Sequence, residues 1–159
     1  MKKIPLSRGM VTLVDDLDYE WLSQWKWYAA RGGATFYAGR SLPRSAEGRG
    51  AVWMHRLILS VPPGIDVDHR NGNGLDNRRI NLRSCNRSQN ACNMRPIVGS
   101  SRFKGVWWHK SNKKWKAQVK LNAEVKWQAG FDSEVEAAQA YDKAAKKYHG
   151  EFARLNFPE

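Results

Sequence analysis

The pattern that most restricts the fold lies in the C-terminal part of the chain. Three short runs rich in β-branched and aromatic residues, FKGVWWH, KWKAQVKL and VKWQAGF, are joined by the polar connections KSNK and NAE. Runs and connections of this kind are typical of strands joined as hairpins. The next segment, SEVEAAQAYDKAAKKYH, has Ala, Tyr and Val at helical spacing, begins at Ser133 with Glu136 three residues later, and ends at Gly150. The pattern predicts three antiparallel strands followed by one amphipathic helix.

The first half of the chain predicts a second, β-rich unit. The runs MVTLV, KWYAA and TFYAG have the composition of strands, and Gly32 and Gly33 supply a turn between the last two. DDLDYEWLSQW predicts a short helix, because its Asp residues fall in the first turn, where the helix dipole favours negative charge. LPRSAEGRG predicts a mobile loop, and the prolines of PPG end the apolar segment VWMHRLILSV. Further on, NRSQNACNM predicts another short helix.

The length of the chain sets the number of modules. A chain of 159 residues buries one ordinary core or two small ones, and we expect two. RPIVGSS has the Pro, Gly and Ser of a linker, which we place at 96–100, between an N-terminal module at 1–95 and a C-terminal module at 101–159. The predicted fold class is α+β.

The charge of the chain indicates its partner. The 27 Lys and Arg against 15 Asp and Glu give a formal net charge of +12, for which a polyanion is the default partner. The N-terminus has no apolar segment typical of a signal peptide, and no apolar run is long enough to span a bilayer. We therefore expect a cytoplasmic protein without a membrane or small-molecule partner. Cys85 and Cys92 form no C-x-x-C pair, so no structural zinc is expected.

The stretch VDHRNGNGLDNRRINLRS places Asp68 beside His69 at the edge of a loop rich in Gly and Asn. Phosphodiester hydrolysis needs a base for the attacking water and a cation at the phosphate. A histidine titrates near working pH, and an Asp oxygen suits Mg²⁺. Neighbours on a strand point to opposite faces, but the glycines after a strand end allow both side chains to turn toward one site. The alternative is an Asp-His pair that only stabilises a turn.

The residues from Met54 to Asn93, with HRLIL, the Asp-His loop and RSQNACN, resemble the HNH nucleases of the homing-endonuclease type. The resemblance implies a zinc-free ββα-metal motif at about 66–93, in which two strands and a helix surround one metal ion. It implies that His69 is the general base and that Asn81 orients this base and shapes the loop.

The same resemblance implies that Asp68 and Asn90 bind the metal, which is Mg²⁺ or another divalent cation such as Mn²⁺. Asn86 and Asn93 are the rivals to Asn90. His55 opens a short apolar segment, and we interpret it as a packed or capping histidine. Five arginines around the loop favour contact with the DNA backbone over a merely solvated face. They are Arg70, Arg78, Arg79, Arg83 and Arg87.

Residues 100–158 resemble the AP2 DNA-binding domain through KGV, KW-A, W…GF, EAAQAYDKAA and the closing LNFP. The resemblance implies a three-stranded sheet that lies in the major groove with a helix packed behind it. Trp107 and His109 replace arginines of the family pattern and Gln118 replaces a Glu, so base preference is not transferred. The positions predicted to contact DNA are Lys104, Trp107, His109, Lys114, Gln118, Lys120 and Trp127.

Together the two resemblances imply a site-preferring, divalent-metal-dependent DNA endonuclease of homing or phage type, which nicks or cuts double-stranded DNA read by the AP2-like sheet. We expect it in the cytoplasm of a bacterial or phage-infected cell. Two alternatives stay open: a DNA-binding regulator with a decayed nuclease motif, and a structural RNA-binding protein. Target sequence and oligomeric state stay open as well.

Overall fold

The computed structural model describes residues 1–43, 50–95 and 99–158. The chain divides into two compact units, Met1–Asn86 and Arg87–Glu159. Helices and small antiparallel sheets occur in both units, which confirms the predicted α+β class. Most of the predicted loop LPRSAEGRG, and the first three residues of the predicted linker at 96–100, lie outside the described residues.

The first unit contains three small antiparallel sheets and two helices among its described residues. The strands are β1 (Lys2–Pro5), β2 (Val11–Val14), β3 (Tyr28–Gly32), β4 (Thr35–Ser41), β5 (Ala51–Trp53), β6 (Asp66–His69) and β7 (Leu82–Cys85). The helices are α1 (Asp16–Ser23) and α2 (Met54–Leu59). β1 pairs with β2, β4 lies between β3 and β5, and β6 pairs with β7.

Local sequence explains most of these elements. Asp16 and Asp18 occupy the first turn of α1, as the sequence predicts. Gly33 forms the β3–β4 turn at a φ of 64°, a conformation that glycine adopts without steric cost. The sequence analysis did not predict β1, because KKIP has a single buried apolar residue, Ile4. The segment forms a strand through its pairing with β2. Buried apolar side chains from β1, β2, β3, β4, α1 and α2 form the core of this unit.

The second unit begins with the helix α3 (Arg87–Asn93). A three-stranded antiparallel sheet follows, made of β8 (Val106–His109), β9 (Lys114–Leu121) and β10 (Glu124–Phe131), with β9 in the centre. The helix α4 (Glu134–His149) packs against this sheet through Ala137, Ala138, Tyr141 and Ala145.

The ends of α4 confirm the sequence prediction. The Ser133 side chain accepts hydrogen bonds from the backbone N–H groups of Val135 and Glu136, as an N-cap does. Gly150 follows the last turn at a φ of 55°, where glycine is favoured. No helix in the described ranges has both the length and the apolar character needed to cross a membrane.

Candidate active site and nucleic-acid interface

The β6–β7 hairpin and its loop hold the residues of the Asp-His motif. The register pairs Asp68 with Arg83 and His69 with Leu82. The loop between the strands is fastened to β2, since Leu13 donates its backbone N–H to the Leu75 carbonyl (2.8 Å) and accepts from the backbone N–H of Asn77 (2.8 Å). A loop rich in Gly and Asn is thereby held in one conformation.

Asn81 shapes this loop from within. Its Oδ1 accepts a hydrogen bond from the backbone N–H of Asn71 (3.0 Å), and its Nδ2 donates to the Asp76 carbonyl (2.7 Å). The Asn71 side chain in turn donates to the Asp76 carboxylate (2.9 Å). Asn81 thus links the backbone of the loop at Asn71 and at Asp76.

A different asparagine, Asn77, contacts the predicted base. The hydroxyl of Thr12 donates to the Leu75 carbonyl (2.8 Å) and accepts from Asn77 Nδ2 (2.7 Å). Asn77 Oδ1 therefore faces His69 Nε2, at 3.2 Å, and only an N–H can satisfy that oxygen. This network assigns the proton of neutral His69 to Nε2 and its lone pair to Nδ1, the nitrogen that can act as a base.

Burial keeps His69 neutral. The side chain is 5% exposed, and this burial lowers the pKa of His69 below its usual value. The hydrogen bond to Asn77 and the negative charges of Asp68 and Asp76 act in the opposite direction and offset part of the effect. At neutral pH His69 therefore has the uncharged form that a general base needs.

Asp68 is engaged in a buried ion pair. Its Oδ2 accepts hydrogen bonds from Arg83 Nε (2.8 Å) and Nη2 (2.6 Å), and the two side chains are 6% and 8% exposed. Asp68 and His69 are consecutive residues of β6, so their side chains leave the strand on opposite faces. His69 is the last residue of the strand, where β6 passes into the loop.

The predicted metal ligands are the side chains of Asp68 and Asn90. Among the described residues, no group of three or more His, Cys, Asp or Glu side chains is arranged to hold a metal ion. Asp68 and Asn90 both offer oxygen donors, which Mg²⁺ and Mn²⁺ prefer, so the predicted pair fits by donor type. An ion at Asp68 would share that carboxylate with Arg83. Asn90 lies on α3, in the second unit.

Three of the five predicted phosphate-binding arginines pair with carboxylates. Arg78 binds Asp76 through Nε and Nη2, and Arg79 binds the fully buried Asp18 in the same way. Arg83 is buried with Asp68. Arg70 and Arg87 lie at exposed positions. The side chains of Arg78 and Arg79 nevertheless remain 35% and 44% exposed.

His55 belongs to an aromatic cluster around the predicted base. Its ring centroid lies 5.2 Å from that of His69, edge to face, and 5.5 Å from that of Tyr37. The Trp53 ring lies nearly parallel to it at 6.5 Å. Burial, together with the charges of His69 and Arg56, lowers the pKa of His55 to about 3. The sequence analysis predicts a packed or capping histidine at this position, and it does not predict that His55 lies beside the predicted base.

The outer face of the β8–β10 sheet carries most of the predicted DNA contacts. Val106, Ala117 and Val119 are buried, so the alternating residues of β8 and β9 form the opposite face. That face consists of Trp107, His109, Lys114, Lys116, Gln118 and Lys120. Lys116 is an addition to the predicted set.

Two predicted contacts are used within the second unit. Trp127 pairs with Val119 in the register and packs against the core, which is the reverse of the predicted DNA-facing position. Lys104 donates its ammonium protons to the carbonyls of Cys92 and Met94. Lys104, Trp107, Gln118 and Lys120 nevertheless line one cavity of about 540 Å³. The sheet therefore combines basic and aromatic groups, the chemistry that nucleic acid contacts require.

Comparisons with known proteins agree with this site. Residues 52–92 match a family model described as HNH endonuclease. An uncharacterized HNH endonuclease of Acanthamoeba polyphaga mimivirus is 33% identical over 141 residues, which cover 85% of this chain and 68% of that protein. Protein 3.8 of Escherichia phage T7 is 34% identical over 98 residues, which cover 60% of this chain and 78% of the phage protein. The chain belongs to the HNH endonuclease family and is a DNA-cleaving nuclease.

The C-terminal part of the chain has a separate similarity. APETALA2-like protein 2 of Oryza sativa subsp. indica is 44% identical over 61 residues, which cover 37% of this chain and 14% of the plant protein. This similarity covers a single module, and the remainder of the plant protein has no counterpart in the match.

Proposed function

We propose that this nuclease is a site-preferring, divalent-metal-dependent DNA endonuclease of homing or phage type, which reads double-stranded DNA with its AP2-like sheet. The Thr12–Asn77–His69 network carries the catalytic part of this proposal, because it leaves the base nitrogen of His69 with a lone pair. A decayed motif has no need to keep such a network in a buried position.

In the proposed reaction His69 Nδ1 accepts a proton from the attacking water. The Nε2–H bond to Asn77 holds the ring in the orientation and tautomer that this transfer needs. Asp68 and Asn90 would hold a divalent cation, Mg²⁺ or Mn²⁺, which would supply stabilisation of negative charge at the scissile phosphate. The products are a 3′-hydroxyl and a 5′-phosphate, as the resemblance implies.

DNA recognition is assigned to the second unit. Its sheet presents Lys114, Lys116 and Lys120 on the face that carries Trp107 and Gln118. Cations of this kind attract the phosphate backbone, and amide and aromatic groups contact base edges. The similarity to the plant APETALA2-like protein supports this assignment, and the phage relative supports a role in a phage-infected bacterial cell.

A plasmid-nicking assay tests the proposal. The wild-type chain is expected to nick supercoiled DNA with Mg²⁺ or Mn²⁺ and to stop when EDTA removes the ion. His69→Ala is expected to lower the rate by at least about 100-fold, as the loss of a general base does, while DNA binding is retained. Full cleavage in EDTA would refute the metal dependence. An unchanged rate in His69→Ala would refute the role of the base.

A further inference from the structure

The imidazole of His55 has no use in the reaction described so far. His55 is the second residue of α2, and its ring is enclosed by Trp53, Tyr37 and His69. Packing alone would be served as well by a phenylalanine. A second imidazole 5.2 Å from the base, between ring centroids, therefore calls for a chemical explanation.

The two ring nitrogens of His55 differ in their surroundings. Within the described residues, Nδ1 is sealed from solvent and has no hydrogen-bond partner, whereas Nε2 is not among the sealed atoms. A buried N–H without an acceptor is rarer than a buried acceptor without a donor. The proton of neutral His55 is therefore assigned to Nε2, which makes Nε2 a hydrogen-bond donor.

His55 is unsuited to the role of a second base. Its pKa of about 3 means that it binds a proton weakly, and a charged imidazolium beside His69 would be costly in this buried cluster. A neutral N–H donor needs no change of protonation at working pH. The pair thus separates two tasks: His69 accepts a proton, and His55 donates a hydrogen bond.

We propose that His55 Nε2–H donates a hydrogen bond to a non-bridging oxygen of the scissile phosphodiester. This proposal rests on the proposed role of His69, because the phosphate attacked by water at His69 Nδ1 must come close to the neighbouring ring. The hydrogen bond strengthens as negative charge develops on that oxygen in the transition state. His55 is then a catalytic residue by contact with the substrate.

Three variants of His55 separate this role from packing. His55→Phe keeps a ring of similar shape and removes both nitrogens. His55→Gln places an amide near the position of Nε2, and His55→Asn places one near the position of Nδ1. We expect single-turnover cleavage to fall by about 10- to 100-fold in His55→Phe and His55→Asn, and His55→Gln to keep most of the rate. Tyr37→Phe is the matched control, because it removes a polar atom from the same cluster and keeps its ring.

A sulfur substitution provides a readout that packing does not affect. Sulfur is a weaker hydrogen-bond acceptor than oxygen, so one non-bridging phosphorothioate diastereomer should slow the wild-type enzyme, and Mn²⁺ should not restore that rate. The same substitution should have little further effect in His55→Phe, whatever the stability of that variant. Wild-type cleavage by His55→Phe, or an unchanged sulfur effect in it, would overturn the proposal.

The His69→Ala variant distinguishes failure of this inference from failure of the proposed function. Loss of cleavage in His69→Ala combined with full activity in His55→Phe would refute the contact by His55 and leave the His69 base in place. Full activity in His69→Ala would refute the base itself. The proposed contact between His55 and the phosphate would then be refuted as well, because its position is inferred from the distance between His55 and His69.

Discussion

The two units of this nuclease use their basic residues differently. In the first unit, Arg78, Arg79 and Arg83 bind Asp76, Asp18 and Asp68, and all three carboxylates are buried. In the second unit, the ion pairs Lys114–Asp132 and Lys126–Glu124 are exposed. Pairs with a buried carboxylate are costly to break, whereas pairs whose two side chains are both exposed contribute little to stability. Arginine holds the buried carboxylates of the first unit, and the lysines of the sheet are the groups that we propose to attract DNA.

The largest effect is expected at the buried Arg83–Asp68 pair. Arg83→Met removes one partner and leaves the Asp68 carboxylate buried, which we expect to lower the free energy of unfolding by about 3–5 kcal/mol. Lys114→Met is the matched control at an exposed pair, with an expected loss below about 1 kcal/mol. Denaturant unfolding measures both. Equal losses in the two variants would contradict the contrast between the units.

The pair also complicates tests of the metal site. Asp68→Asn removes a charge from the predicted ligand and from the partner of Arg83 at once. A loss of cleavage in this variant supports a metal ligand only if higher Mg²⁺ restores the rate while the unfolding free energy stays unchanged by the ion concentration. Restoration by neutral osmolytes instead would indicate a structural cause.

A second prediction concerns the tautomer of His69. Asn77→Ala removes the acceptor of the Nε2–H bond, so we expect cleavage to fall by about 10- to 100-fold with little change in DNA affinity. Nitrogen NMR shifts of the imidazole should show a protonated Nε2 in the wild type and a mixture of tautomers in the variant. An unaltered tautomer in Asn77→Ala would show that another contact determines it.

A third prediction concerns pH and the stability of the first unit. His55 has a folded-state pKa of about 3, and in the unfolded chain it titrates near 6.5. Below pH 6.5 the unfolded state therefore binds a proton that the folded state does not, and stability falls as the pH falls toward 3. One such group contributes a slope of at most about 1.4 kcal/mol per pH unit.

Unfolding measured between pH 7 and 4 in the wild type and in His55→Phe isolates this contribution. The slope of the unfolding free energy against pH should be smaller in the variant. The lowered pKa of His69 should account for part of the slope that the variant retains. Identical slopes would mean that His55 is protonated in the folded state.

The smallest effect is expected on the sheet of the second unit. Lys120 lies at an exposed position of β9, and if it contacts a phosphate, Lys120→Ala should weaken binding of all duplexes by a similar factor. The slope of log affinity against log salt should become shallower by about one. Lys126→Ala is the control, because it removes the cation of the exposed Lys126–Glu124 pair on β10. It tests whether the loss of any positive charge weakens DNA binding and the salt dependence to the same extent.

Sequence patterns were sufficient where a local rule decides the structure. The cap at Ser133, the Ala-rich face of α4 and the glycine at its end predict that helix from neighbouring residues alone. The strand alternation of β9 also follows from its sequence, since the apolar Ala117 and Val119 alternate with the polar Lys116, Gln118 and Lys120. The Asp-His motif predicts His69 as the base because its type and spacing are unusual within such a loop.

Tertiary structure alone decided the contacts of these residues. Thr12 and Asn77 are 65 positions apart, and Asp18 and Arg79 are 61 apart, so neither pair leaves a local signal. Trp127 was predicted to face DNA because composition does not say which face of a strand is buried, and the pairing with Val119 places it on the core side. His55 looked like a packed histidine in the sequence, and the fold of α2 against β6 brings its ring to the base. The sequence determined which chemistry is present, and packing determined which side chains meet, because a long-range contact depends on the whole core that positions it.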